Sequence, residues 1–282
     1  MADQNRTRTQ RGPVTLVLRF VVIAYVFVLV IWPVSVVVQR TFAPLNGQEG
    51  GFGAFVARLS DPAVVYAFSL TGTITFWAVL INTVFGVGVS LLLVRYRFPG
   101  RRVLSVLVDL PMSVSPVVVG LALVLAYSTG SGWFGESLAS IGINVIFSTP
   151  GLIMATAFIS LPFVIREVVP VLEEIGTESE QAALSLGASG WQTFWRITLP
   201  SIRSAVLYGV VLSIARALGE FGAVKIVSQG AAFNGETATL LIQNRYGNFD
   251  ESTAYAAAFV LVVAAVLAIV VVNLIRKPEG ST

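Results

Sequence analysis

The chain has 282 residues, of which 55% are hydrophobic and only 12% charged, with a net charge of +3; soluble domains carry roughly 25% charged residues, so lipid is the expected solvent for much of this surface. It contains no histidine, no cysteine and only two lysines, Lys225 and Lys277, neither of which follows a glycine. That excludes thiol nucleophiles, histidine bases, disulfides, thiolate or imidazole metal ligands and a Gly-x4-Gly-Lys-Ser/Thr phosphate loop, and the small charge gives no sign of nucleic-acid binding.

A helix needs about 20 mostly apolar residues to cross a bilayer. Residues 1–12 are polar and are expected to be a disordered tail. Six apolar stretches follow, and each predicts a span: 15–38, 66–94, 103–128, 149–170, 203–228 and 253–275. The first is long enough to stay as an anchor rather than be cleaved as a signal. The first and last are the purest, with only Arg19 in one and no charge from Ala254 to Leu274 in the other. The middle four hold Asp109, Arg216, Glu220 and Lys225, with Pro111, Pro116 and Pro162. Proline frees a backbone carbonyl, so such helices are expected to face protein or a cavity rather than lipid. No linker sets off a second globular domain, and residues 13–282 read as a single all-α integral membrane domain.

Arginine and lysine placement predicts the orientation. With the N-terminus inside, the inner segments hold Arg6, Arg8, Arg11, Arg95, Arg97, Arg101, Arg102, Arg166, Arg196, Arg203, Arg276 and Lys277. The outer segments hold Arg40, Arg58 and Arg245. Six spans then place both termini in the cytoplasm. The Arg95–Arg102 cluster reads as a topological anchor.

Residues 171–202, between spans four and five, are too polar to span and too patterned for a loose loop. Thr177 with Glu180, and Ser189 with Gln192, have capping-box spacing, so each marks a helix start. Gly187 lies between them, where a left-handed stop is easiest. On the second helix Trp191, Phe194, Trp195 and Thr198 follow helical spacing and share one face, and Pro200 is expected to end it before span five. An exposed aromatic face of this kind rests on lipid headgroups or docks into another protein. The acids Glu173, Glu174, Glu178 and Glu180 are repelled by an anionic leaflet, which favours protein.

This segment resembles the cytoplasmic "EAA" loop of bacterial ABC importer permeases: Glu-Ala-Ala, three residues, Gly, nine residues, Ile-x-Leu-Pro. Ala182, Ala183, Gly187, Ile197, Leu199 and Pro200 fall in register. Gln181 stands where the family usually has Glu, with Glu180 one residue earlier. Further runs are similar to the W-type subunit of the sulfate/thiosulfate importers: Phe98–Arg101, Ser115–Gly120, Pro162–Pro170, Gly187–Gln192, Leu207–Val211 and Ala215–Val224. Molybdate and tungstate permeases share much of this pattern. The resemblance implies the type I importer fold, with Gln181, Ala182, Ala183, Gly187, Trp191, Ile197, Leu199 and Pro200 coupling to a separate ATPase. It also implies a T-type partner permease, two ATP-binding subunits that carry ATP–Mg, and an extracytoplasmic sulfate-binding protein. No cofactor is expected on this chain, and no catalysis.

Arg216 and Glu220 are the notable charges inside the expected spans. From Arg203 they lie roughly 20 and 25 Å in at 1.5 Å per residue, and each bare charge would cost about 2.5–3.5 kcal/mol there. Their i, i+4 spacing supports two readings: a structural ion pair, or an arginine presented to a passing dianion with Glu220 positioning it. Ser113 and Ser115 either line that passage or serve helix packing. Asp109 is expected to be structural, or a partner for an arginine near the inner face. A stand-alone secondary transporter remains the rival of a different class, but gives the 171–202 segment no partner.

Overall fold

The computed structural model describes residues 13–45, 47–130 and 132–275. The tail 1–12, with Arg6, Arg8 and Arg11, and the residues Arg276 and Lys277 lie outside them. In chain order the helices are α1 (Pro13–Val26), a π-turn (Phe27–Ile31), α2 (Trp32–Phe42), α3 (Phe52–Leu59), α4 (Pro62–Arg95), α5 (Arg101–Ser113), α6 (Pro116–Tyr127) and α7 (Gly135–Ser140). Then come α8 (Thr149–Ile175), α9 (Glu178–Ser185), α10 (Gly190–Thr193), a second π-turn (Phe194–Thr198), α11 (Leu199–Leu218), α12 (Gly222–Val227), α13 (Ala238–Gly247) and α14 (Glu251–Ile275).

Among the described residues five rods are long and apolar enough to cross a membrane: Thr15–Phe42, Pro62–Arg95, Thr149–Ile175, Gly190–Leu218 and Glu251–Val271. The sixth apolar stretch differs from the straight span expected at 103–128. It is two helices, α5 and α6, bent by 115°. The cause is local. Pro116 clashes with a helical conformation at the residue before it, and Ser115 accordingly sits at φ −60°, ψ 135°. Val114 is extended as well, at φ −100°, ψ 140°.

The stretch expected at 203–228 also differs. Its helix begins far earlier, at Gly190, and stops at Leu218. Pro200 does not end the preceding helix. The π-turn, in which the Leu199 N–H bonds back to the Phe194 carbonyl, carries the backbone into α11 past Pro200, and the widened turn accommodates a residue that has no N–H to give. Gly219 and Glu220 then break the rod before α12. At 1.5 Å per residue the 29 residues of Gly190–Leu218 run roughly 43 Å. That exceeds the roughly 30 Å of hydrocarbon, so one end projects beyond it.

The centre of the bundle is α8, packed between α4 and α11. Val87, Val164, Val168, Leu172, Ile202 and Ala205 form one buried cluster there. Glycines set the spacing. A Cβ on Gly86 of α4 would lie 2.9 Å from the Val164 side chain, and one on Gly209 of α11 would lie 2.8 Å from the Val164 Cα. Small residues let helix backbones approach in this way when lipid offers no hydrophobic drive to associate. A second cluster joins α4, α6, α8, α12 and α13 around Ile74, Val119, Leu152, Val224 and Leu240. At the end of α4 away from Arg95, Asp61 caps the helix by accepting from the Ala63 N–H at 2.8 Å. It also pairs with Arg245 at 3.1 Å, and Arg245 reaches Asp250 at 3.3 Å.

Candidate functional sites at two ion pairs

The segment expected to dock forms a bent helix pair. Helix α9 ends at Leu186, Gly187 turns the chain at φ +89°, and α10 starts at Ser189. Nothing surrounds Gly187 closely, so its backbone angle rather than space demands glycine there. The Ser189–Gln192 capping box forms in both directions, with the Gln192 N–H donating to Ser189 Oγ and the Ser189 N–H to Gln192 Oε1. The Thr177–Glu180 box does not form. Gln181 Nε2 donates to Thr177 Oγ1 at 2.9 Å, and Glu180 turns elsewhere.

Its destination is Arg95, the last residue of α4. Arg95 Nε donates to Glu180 Oε2 at 2.9 Å and Nη2 to Oε1 at 3.3 Å. Arg95 Nη1 donates to the Leu172 carbonyl at 2.9 Å, and Nη2 to that of Gly176 at 2.7 Å. Those carbonyls belong to the negative end of α8, where a cation is favoured. Thr198 Oγ1, in the π-turn, donates to Glu180 Oε1 at 2.9 Å. The side chains of Arg95 and Glu180 are only 11% and 16% exposed. Arg95, one of the arginines read as a topological anchor, is also the centre of a largely shielded network. No periodicity in the sequence marks this contact, because its partners lie 85 positions apart.

The faces of this segment divide cleanly. Gln181, Ala182, Gly187 and Pro200 are exposed, and Ala183, Ile197 and Leu199 are half-buried. Trp191 is 70% exposed and Trp195 50%, and the two rings meet edge-on with centroids 5.4 Å apart. The single face expected for Trp191, Phe194, Trp195 and Thr198 is split. Phe194 packs against the cluster around Val164, and Thr198 is buried on Glu180, because the π-turn changes the helical phase between Trp191 and Thr198.

The second pair lies at the break after α11. Arg216 Nη2 sits 2.7 Å from Glu220 Oε2, with side chains 30% and 2% exposed. That contact is a charge contact without hydrogen-bond alignment, since Oε2 accepts no hydrogen bond among the described residues. The other oxygen, Oε1, accepts from the Ala223 N–H at 2.9 Å and so caps α12. Thr239 Oγ1 donates to the Glu220 carbonyl at 2.8 Å. Glu220 is therefore just outside α11 rather than on its face as expected, yet a further turn, in which the Glu220 N–H bonds to the Ala217 carbonyl at 3.2 Å, still brings it to Arg216.

This break packs against the bend of the other broken stretch. A Cβ on Gly222 would lie 2.9 Å from Pro116 Cβ, and one on Gly120 would lie 2.9 Å from the Ala223 carbonyl. Ser113 and Ser115 flank the bend and are exposed. Among the described residues neither side chain hydrogen-bonds to Arg216, whose charged partner is Glu220. Asp109 pairs with Arg166 at 2.9 Å, as an arginine partner was expected; both side chains are about half exposed.

Comparison with known proteins agrees with this architecture. Residues 82–277 match the family described as "Binding-protein-dependent transport system inner membrane component". The chain is 43% identical over 256 residues to the "Sulfate transport system permease protein CysW" of Synechococcus elongatus, covering 91% of this chain and 87% of that one. It is 41% identical to the "Sulfate transport system permease protein CysT" of Escherichia coli, covering 79% and 80%. Among solved structures it is similar in fold to a bacterial ABC transporter involved in import of the acidic polysaccharide alginate, with a TM-score of 0.73, 20% identity and 93% coverage of each chain.

Proposed function

Because the chain belongs to the binding-protein-dependent transport system inner membrane components, as a multi-pass, non-enzymatic permease subunit, we propose that it forms half of the passage of an ATP-driven sulfate or thiosulfate importer, as the W-type subunit. The observation that carries this reading is the ordered helix pair with its exposed Trp191 and Trp195, held in place by Arg95 and Glu180. A free aromatic surface on a fixed mount suits docking into a groove of a soluble partner. The choice of sulfate rests on relatives named for that anion.

In this reading the arginine-rich end faces the cytoplasm, both termini lie inside, and the membrane is the bacterial inner membrane. The likeness to both CysW and CysT fits pairing with a related T-type permease. One solved relative is an alginate transporter in complex with an alginate-bound periplasmic protein, which supports a dedicated extracytoplasmic binding protein here. Two ATPase subunits carry ATP–Mg and seat the Gln181–Pro200 segment. Their closure moves the docking helices together and turns the cavity outward. Sulfate leaves its binding protein for the cavity, and hydrolysis resets the machine.

Arg216 supplies positive charge along the passage. Glu220 cancels part of it, which keeps a dianion from binding too tightly to leave. Ser113 and Ser115 offer hydroxyls at the bend. The test is reconstitution of the complex in vesicles with its binding protein, followed by ATP-dependent uptake of labelled sulfate against molybdate. Sulfate uptake that requires ATP is expected. Strong molybdate uptake beside negligible sulfate uptake would overturn the substrate, and uptake indifferent to ATP would overturn the class.

A further inference from the structure

We infer that Arg95 and Glu180 are positioning residues that transmit movement of the docking helices to three membrane helices at once. The inference rests on the importer reading above. Arg95 makes four hydrogen bonds with its five N–H donors, spread over two elements besides its own helix. Arg95 terminates α4, and its guanidinium holds the Leu172 and Gly176 carbonyls at the end of α8 and the carboxylate of Glu180 on α9. Glu180 then holds Thr198 at the entry to α11. Without this carboxylate, α9 has little grip on the bundle, since none of its residues is buried.

The consequence is mechanical. Helices α4, α8 and α11 also meet around Val164, through Gly86 and Gly209. A push on α9 that had only backbone links to pass through would be absorbed at Gly176, which has φ +61°, and at Gly187. The charged joint bypasses both glycines. It gives the ends of all three rods a common displacement, and α11 carries that displacement to Arg216.

The sequence position explains the departure at Gln181. An acid on the exposed side of α9 would face the docking partner. The acid one residue earlier faces inward and serves this chain's own framework. The two positions therefore do different work, and a glutamate restored at Gln181 would not replace Glu180.

The test uses the complete complex in vesicles, with ATP hydrolysis and labelled-sulfate uptake measured together. Glu180→Gln keeps the shape and an acceptor for Thr198 but removes the charge. Its expected result is assembly like the unaltered complex, continued ATP hydrolysis, and about a tenfold rise in ATP consumed per sulfate imported, within the range of typical coupling free energies. Thr198→Val removes only the arm to α11 and should raise the same ratio less. It decides the matter if Glu180→Gln fails to assemble. A ratio unchanged in the variant, whether both activities are normal or both fall together, would overturn the joint. Loss of ATP-driven uptake in the unaltered complex would instead overturn the importer reading.

Discussion

The chain holds two shielded arginine–glutamate pairs that are built in opposite ways. At Arg95 the guanidinium ties two elements, α8 and α9, to its own helix α4, and the carboxylate of Glu180 reaches a fourth at the entry to α11. At Arg216 the pair closes within a single stretch of chain, the glutamate is fully enclosed, and the arginine is 30% exposed with no other partner among the described residues. The first arrangement engages four of the five donors of its arginine, while the second leaves most of them available. The same two residue types thus make a fastener in one place and a presented charge in the other. What separates them is how many donors the surrounding backbone claims.

The largest effect is expected from breaking the fastener. Arg95→Ala leaves Glu180 and two helix-end carbonyls largely shielded without this donor, a loss below the roughly 3–5 kcal/mol of fully buried broken pairs because the pair is part-buried. Thermal unfolding in detergent should show a large drop in Tm.

The presented charge gives the next test. Arg216→Gln alone strands the enclosed Glu220, so the informative variant is Arg216→Gln with Glu220→Gln. Its assembly and Tm should stay near those of the unaltered protein, while sulfate uptake falls at least about tenfold, equivalent to about 1.4 kcal/mol of lost stabilisation of the passing anion. Uptake that survives the double change would make this pair structural too and remove the contrast.

Smaller effects sharpen the mounting of the two pairs. Gly209→Ala would drive a methyl into the Val164 backbone. Overpacking of this kind costs typically 1–3 kcal/mol, and it should lower Tm without raising the ATP consumed per sulfate. Gly187→Ala forces a side chain onto φ +89°, at roughly 1–2 kcal/mol. It should weaken retention of the ATPase subunits on a tagged permease more than it lowers Tm. Least is expected of Asp109→Asn. Its pair with Arg166 is half exposed, and such pairs contribute about 0–1 kcal/mol, so uptake and Tm should both stay close to normal.

Much of the fold was legible because hydropathy alone marks a membrane helix. The lengths of α4 and α14 follow from apolar text, whereas α8 runs five residues past the expected end at 170, into the segment read as too polar to span and through Pro162 and Pro170. The two breaks were harder. Residues 103–128 are apolar on both sides of Ser115, and a window of composition does not register the 115° bend that Pro116 imposes. Gly219 and Glu220 interrupt a helix while keeping the i, i+4 contact that had suggested one. The capping boxes are the clearest lesson. Thr177–Glu180 and Ser189–Gln192 have the same spacing, yet only the second closes. Glu180 had a stronger partner in Arg95, and a local rule yields to a charged contact from 85 residues away. The bent helix pair itself was visible through its glycine corner and the Ser189–Gln192 cap. Its attachment to the bundle was not, since nothing local distinguishes Arg95 from the arginines that follow it.

The unbroken run from Gly190 to Leu218 behaves as a boom. Its length is roughly 43 Å, so a pivot of about 10° at the tryptophan end would sweep the tip near Arg216 through roughly 7 Å. A water molecule or a hydrated anion needs an opening of only that order. Under the importer reading, modest rocking at the foot is therefore sufficient to move Arg216 between shelter and an open passage, with no helix having to melt or slide.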